Sequence, residues 1–137
     1  MHPLNRRNFL KLFGAATSLA ALPRAVSAQS VAPRVVVIGG GFGGATVAKY
    51  LRMWGGNVDV TLVDPNAAHT SCVLSNLVVT GALSMTRITL GYTALAANHG
   101  VHILKGSARE IDPAGGVVTI ATATGDVELD YDHLVLA

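Results

Sequence analysis

Val35-Val-Val-Ile-Gly-Gly-Gly-Phe-Gly-Gly-Ala45 decides the fold of this chain, and Val60-Thr-Leu-Val-Asp64 completes the unit. Val35 to Ile38 is a continuous β-branched apolar run, as expected for a parallel strand covered on both faces. Gly39, Gly41 and Gly44 then give the spacing G-x-G-x-x-G at the strand-to-helix turn. In a dinucleotide-binding βαβ unit the first glycine permits the tight turn. The second lets a pyrophosphate approach the backbone, and the third lets helix pack on strand. The helix N-terminus offers unpaired N–H groups and partial positive charge to the phosphates. Asp64 lies twenty residues past Gly44, where a carboxylate accepts the hydroxyls of an adenosine ribose and disfavours a 2′-phosphate. The expected ligand is FAD or NAD rather than NADP. Glycine spacing alone is common, and a doubly wound domain that keeps its glycines for packing is the alternative. Strand, helix and acidic terminus at the right separations favour a nucleotide site. Gly43, inside the turn, and Pro65, beside Asp64, belong to the same candidate set.

Outward from this unit the pattern continues as an α/β chain of Rossmann-like type with a small antiparallel β meander. A helix is expected from Gly43 to about Trp54, with Val47, Leu51 and Trp54 on its packed side and Lys49 and Arg52 opposite. Gly55-Gly56 stops it with a left-handed cap. Val58 to Val63 reads as the second strand, and the chain beyond Asp64-Pro65 reads as loop up to Cys72. A helix or irregular segment covers Val73 to Gly81, and a helix runs from Tyr92 to His99, closed by Gly100. Val101 to Lys105 reads as a third parallel strand. Ala108 to Tyr131 alternates like antiparallel strands, with turns at Pro113 to Gly116 and Thr124 to Asp126. His133 to Ala137 is a fourth apolar strand.

The first 28 residues read as a leader. Asn5-Arg6-Arg7-Asn8-Phe9-Leu10-Lys11 resembles the twin-arginine motif of bacterial export signals, and Leu12 to Leu22 is a short apolar region. That region is shorter than the roughly 20 apolar residues of a membrane span. Val26-Ser27-Ala28 suits a signal peptidase, so cleavage is expected after Ala28, leaving 29–137 as the first part of a nucleotide-binding domain. An amphipathic or uncleaved anchor is the alternative. The twin-arginine route carries folded proteins, which suits a cofactor inserted in the cytoplasm, and the implied destination is the periplasm.

The leader also carries much of the positive charge. Without it, six Lys and Arg face eight Asp and Glu, so the basic balance of the whole chain is no argument for nucleic acid or anionic lipid. Roughly 109 residues can bury one core but not a large one.

Cys72 is the single cysteine, so no intrachain disulfide is possible within these residues. On an exported chain it suggests intermolecular pairing, a reactive thiol or a covalent attachment; an inert buried thiol is the plain alternative. The segments Arg34 to Leu51, Val60-Thr-Leu-Val-Asp-Pro-Asn66, Cys72-Val-Leu-Ser-Asn76 and Tyr131 to Ala137 are together similar to the flavoprotein subunit of flavocytochrome c sulfide dehydrogenase. The glycine segment and closing strand are shared by many flavoproteins with two dinucleotide-binding domains, whereas the Asp-Pro-Asn and Cys-x-Leu-Ser-Asn pieces are narrower.

The resemblance implies a FAD-binding domain in which Cys72 holds the flavin through a thioether, as a tether and not the sulfide-attacking thiol. It further implies a sulfide dehydrogenase that passes electrons through FAD to a c-type cytochrome subunit. Main-chain atoms at Ala108 would bind adenine, with a small residue in a strand crossover as the other reading. In such flavoproteins the closing Tyr-Asp-x-Leu-Val-Leu-Ala pattern continues into a turn over the FAD. Ala137 therefore joins the cofactor set, and the chain is expected to be the N-terminal part of a longer enzyme, inactive alone. This sequence departs from the family by having His69, Thr70 and Ser71 before the cysteine and Val73 after it, where the family tends to have aromatics.

His69 is either close to the flavin or a solvated loop histidine. His99, His102 and His133 lack metal-ligand spacing and are expected to be structural, and no catalytic or metal-ligating residue is assigned. Two rivals remain: a quinone-linked sulfide or NADH dehydrogenase of the same superfamily, and a non-enzymatic exported module that binds a nucleotide.

Overall fold

The computed structural model describes residues 31–137; the expected leader, its cleavage after Ala28 and Gln29 lie outside the described residues. Strand β1 (Arg34–Ile38) is followed by helix α1 (Phe42–Trp54) and strand β2 (Asp59–Asp64), the βαβ unit expected from the glycine stretch. Strand β3 (Ala68–Thr70), the short helix α2 (Ser75–Val79), a 3₁₀ turn (Met85–Arg87) and strand β4 (Thr89–Gly91) come next. Helix α3 (Thr93–His99), β5 (His102–Lys105), the meander β6 (Ser107–Asp112), β7 (Val117–Thr122) and β8 (Gly125–Asp130), and β9 (His133–Leu136) complete the order.

The main sheet runs β5-β2-β1-β9, all parallel, with Val35 opposite Val60 and Val36 opposite Leu134. The unbroken apolar run of β1 has a direct physical reason. Val35 and Val37 join Val60, Leu62, Ala48, Tyr92 and Val101 in one core, on the side of α1 and α3. Val36 points the other way, into a second core with Val63, Val118 and Ile120 under the meander. Successive residues of a strand face opposite sides, so a strand sandwiched between two layers must be apolar throughout. Leu62, Val37, Val60, Ile120 and Val118 are fully buried.

The meander turns are closed by local side-chain bonds. Asp112 Oδ1 accepts the N–H groups of Ala114 and Gly115, each at 3.0 Å, and Gly116 follows in the left-handed region at φ +67°. At the next turn Thr122 Oγ1 donates to the Gly125 carbonyl at 2.7 Å. The start of β1 is tied to both ends of the β8–β9 connection. Arg34 reaches Asp130 at 3.0 Å and Asp132 at 3.3 Å, and the Arg34 N–H donates to Asp132 Oδ2 at 2.7 Å. These bonds hold Asp132 below the usual carboxylate range, the backbone N–H of Arg34 contributing most.

Several expectations need correction. Trp54 is not on the packed side of α1: it is 75% exposed and stacks on Tyr50 at 4.3 Å, while Val47 and Leu51 do pack on the core. Arg52 is not solvated either; its guanidinium donates to the carbonyls of His99 (3.0 Å) and Val58, tying α1 to the end of α3. The expected Gly55-Gly56 stop does hold, its left-handed residue being Gly56 (φ +71°). The loop before Cys72 contains β3, which pairs antiparallel with β4 (His69 opposite Leu90) into a separate two-stranded ribbon. Three-residue strands are too short for a period-2 pattern to register. The segment Val73 to Gly81, expected as helix or irregular, is helical over Ser75–Val79.

Candidate functional site

The βαβ unit brings Gly39, Gly41, Gly43, Gly44, Asp64 and Ala137 together at the C-terminal edge of the parallel sheet, where doubly wound sheets bind ligands. Gly39 adopts φ +101°, a conformation few other residues take, and its N–H donates to the Val63 carbonyl of β2 at 2.8 Å. A Cβ there would run into the Ala137 carbonyl, and one at Gly44 into the Gly39 carbonyl. Ala137 is held by its own N–H, which donates to Ile38 O at 2.9 Å. Gly41 is the contrasting case: a Cβ built on it meets nothing within 4 Å. Helix α1 begins immediately after it, with no side-chain cap and no acidic residue in its first turn. No side chain of the first turn therefore compensates the partial positive charge of this helix end.

Asp64 does two jobs. Its Oδ2 accepts the Gly40 N–H at 2.7 Å and its Oδ1 accepts the Asn66 N–H at 2.8 Å, an Asx turn across Pro65. A carboxylate offers about four lone-pair sites, so about two remain for ribose hydroxyls. Sequence reasoning missed the other clamp on this turn. The Tyr92 hydroxyl donates to the Gly40 carbonyl at 3.0 Å, so the Gly40 peptide is bonded at both of its polar atoms. Tyr92 is 5% exposed; burial, and then the neighbouring Asp64 charge, push its phenol above the ordinary value and keep it a donor. Its place as the first residue of the predicted helix, next to Gly91, was the only local signal.

Pro65 lines a cleft of about 500 Å³ with Lys105, Gly106, Ser107 and Thr124, beyond the ends of β2 and β5. Gly106 donates to the Asp64 carbonyl at 3.0 Å. Ala108, two residues on, is half-buried against the second core, beside a bulge between Ala108 and Glu110. Cys72 is exposed and follows β3, with Ser71 buried just before it; the Ser71 hydroxyl accepts the Val73 N–H at 3.0 Å. The ribbon reaches the glycine turn through His69, whose ring meets Phe42 edge-on at 5.0 Å. His102 pairs instead with Asp59 at 3.2 Å. Among the described residues no group of three His, Cys, Asp or Glu stands close enough to hold a metal, and no helix is long and apolar enough to cross a membrane.

The residues fit a flavin dinucleotide: the one glycine of the motif with open space around it is the one a pyrophosphate must approach. Gly41 and the first turn of α1 would hold the phosphates and Asp64 the ribose. Redox chemistry would come from the isoalloxazine, the protein supplying position and electrostatics.

Comparison with known proteins agrees. Residues 33–137 match the family model described as pyridine nucleotide-disulphide oxidoreductase. Over 45 residues, 33% of this chain and 94% of the relative, the chain is 58% identical to the sulfide dehydrogenase (flavocytochrome c) flavoprotein chain of Chlorobaculum thiosulfatiphilum. It is 34% identical over 105 residues to a type II NADH:quinone oxidoreductase of Mycobacterium tuberculosis, covering 76% of this chain and 22% of the relative. The solved sulfide:quinone oxidoreductase of Aquifex aeolicus superposes with a TM-score of 0.65 at 26% identity, over 77% of this chain and 24% of that one. The chain thus spans about a quarter of the length of these last two proteins. By its matched residues and its glycine turn, the chain belongs to the pyridine nucleotide-disulphide oxidoreductases, a family of FAD-binding redox proteins.

Proposed function

We propose that this chain is the FAD-binding part of a sulfide dehydrogenase that passes electrons from sulfide through FAD to a c-type cytochrome subunit, with the flavin tethered at Cys72. The observation that carries the reading is the exposed thiol of Cys72, next to a ribbon that touches the glycine turn through His69 and Phe42. The 58% identity to a flavocytochrome c flavoprotein chain supports it. In this reading Gly39, Gly41, Gly43 and Gly44 cradle the pyrophosphate. Asp64, with Pro65 beside it, takes the ribose, Ala108 borders the adenine and Ala137 closes the turn. Sulfide chemistry would belong to the whole protein. Export to the periplasm by the twin-arginine leader is part of the same proposal, since a c-type cytochrome partner is met there.

Quinone as the electron acceptor is the second reading, favoured by the longer match to a quinone-linked NADH dehydrogenase and the likeness to a sulfide:quinone oxidoreductase. Peptide mass spectrometry on the denatured full-length protein tests the first. The expected result is FAD mass on the peptide containing Cys72, together with sulfide-dependent reduction of a c-type cytochrome. Flavin released freely from an unmodified Cys72, with sulfide-dependent quinone reduction, would shift the assignment to the second.

A further inference from the structure

The stretch from Cys72 to Arg87 has defined structure but no core. None of its residues is buried, and only Val78 and Leu83 are half-buried. Backbone bonds set its shape: the Leu77 N–H donates to the Leu74 carbonyl and the Leu83 N–H to the Leu77 carbonyl, each at 3.0 Å. Helix α2 is five residues long without one buried side chain, far short of what holds a helix together in water by itself. Leu74, just before it, takes φ +66°, in the left-handed region that a bulky residue avoids unless its surroundings hold it there. Val73, Leu74, Leu77, Val79, Met85 and Leu90 are all exposed, Val79 at 88%. Single exposed apolar residues are ordinary; this many in one short segment mark a surface that something covers.

Composition narrows what the cover is. From Pro65 to Thr86 the sequence has no Lys, Arg, Asp or Glu. Electron-transfer partners that fold separately meet through small interfaces and are steered by charge, and this stretch offers none. Helices that lie on membranes carry Lys and Arg on their polar face, which α2 lacks. An uncharged apolar surface is instead the mark of a permanent interface, one that resembles a core cut in half. Permanent cover within a single chain needs more chain, and this one spans only 22% and 24% of the two long relatives it matches.

We propose that residues 73–90 form an interdomain docking surface, covered in the full-length protein by its own residues beyond Ala137. The inference rests on the reading of this chain as the FAD-binding part of a longer protein. Cys72 stands at the start of the segment, so the same cover would close over the end of the site where the flavin is proposed to be tethered.

The test replaces Val79 with a benzophenone-bearing photo-crosslinking residue in the full-length protein, kept with the chains that co-purify with it. After irradiation, peptide mass spectrometry of the product of monomer mass is expected to join position 79 to a peptide of the same chain beyond residue 137. A cross-link to a second copy or to a cytochrome chain, or none, overturns the proposal. A second measurement compares Val79→Asp with Val31→Asp, since Val31 is as exposed, at 87%, but lies outside the segment. Val79→Asp is expected to lower the melting temperature of the full-length protein by several degrees, and Val31→Asp by no more than about one. Equal melts overturn the proposal too. Flavin absorbance on the same samples reports separately on the reading beneath it: a protein without flavin overturns that reading, while the cross-link still decides the docking surface.

Discussion

Adding one methyl group at Gly41 and the same group at Gly44 separates binding from folding at this turn. Gly41 has φ −63° and ψ −171°, extended backbone open to any residue, and nothing lies within 4 Å of the added Cβ. Two small terms act on its stability. Alanine lowers unfolded-chain entropy, a gain of about 0.4–1 kcal/mol. It is also a poorer N-cap than glycine, a loss of similar size. Gly41→Ala should therefore melt within a few degrees of the parent. The methyl nevertheless occupies the surface across which the pyrophosphate must pass. If that overlap costs the about 1–3 kcal/mol typical of overpacking, FAD affinity falls by roughly 5- to 150-fold. At Gly44 the added atom overlaps the Gly39 carbonyl and sits 3.3 Å from the Ala137 Cβ, so α1 must move off β1. There the cost of about 1–3 kcal/mol or more falls on folding itself and lowers the melting temperature by several degrees. Thermal denaturation of the apoprotein and FAD titration by flavin fluorescence, both on the full-length protein, read the two effects separately. Wild-type FAD affinity in Gly41→Ala, or an unimpaired melt in Gly44→Ala, would refute this account of the turn.

Tyr92→Phe leaves the buried Gly40 carbonyl without its donor and should cost about 1–3 kcal/mol, seen in thermal denaturation, with weaker FAD binding because the turn is less well held. The second expectation concerns acid. Asp132 has its pKa lowered in the folded chain, so its contribution is present above the ordinary carboxylate pKa and is lost as pH falls through the lower, folded value. Melting temperatures measured from neutral to strongly acid pH should therefore fall less steeply at the acid end for Asp132→Asn than for the parent. The difference should be small and shrink further in high salt, because the Arg34–Asp132 pair is exposed. An acid limb as steep in the variant as in the parent would exclude the pair as its source.

How much of this was legible in the sequence depended on how local each signal was. The βαβ unit, α3 with its glycine cap at Gly100 (φ +64°), β5, the meander and β9 all stand where periodicity and turn residues put them. Each is specified by neighbours within a few residues. Trp54 and Arg52 were misjudged because helical periodicity reports a face, not what lies opposite it. Trp54 is left exposed with only Tyr50 stacked on it, and Arg52 finds acceptors on His99 and Val58 that no pattern within α1 announces. The β3–β4 ribbon escaped because it joins residues about twenty apart through three pairs. The glycines and Asp64 stood out in the sequence as a candidate nucleotide site, and the structure brings them together. Tyr92 was not, since its bond to Gly40 spans 52 residues.

The rigidity of the site follows from where its anchors lie. A glycine turn by itself is permissive, yet four polar backbone groups of this one are tied to elements of regular structure. The Gly39 N–H is bonded to β2 and the Gly40 N–H to the carboxylate that ends β2. The Gly40 carbonyl is bonded from the residue preceding α3, and the Gly41 carbonyl accepts the first helical bond from Ala45 at 3.0 Å. Those elements are in turn locked because β1 and β2 feed alternate side chains into two separate cores, and a one-residue slip would send every valine to the wrong layer. The register that buries Val37 and Leu62 is thus the register that sets Asp64 beside Gly40. A preorganised turn loses little freedom when a phosphate arrives, so the contacts it makes appear as affinity instead of being spent on ordering the loop. The same packing that stabilises the domain therefore holds the turn rigid, and Gly41, where an added Cβ meets nothing within 4 Å, is the position at which the proposed ligand would approach.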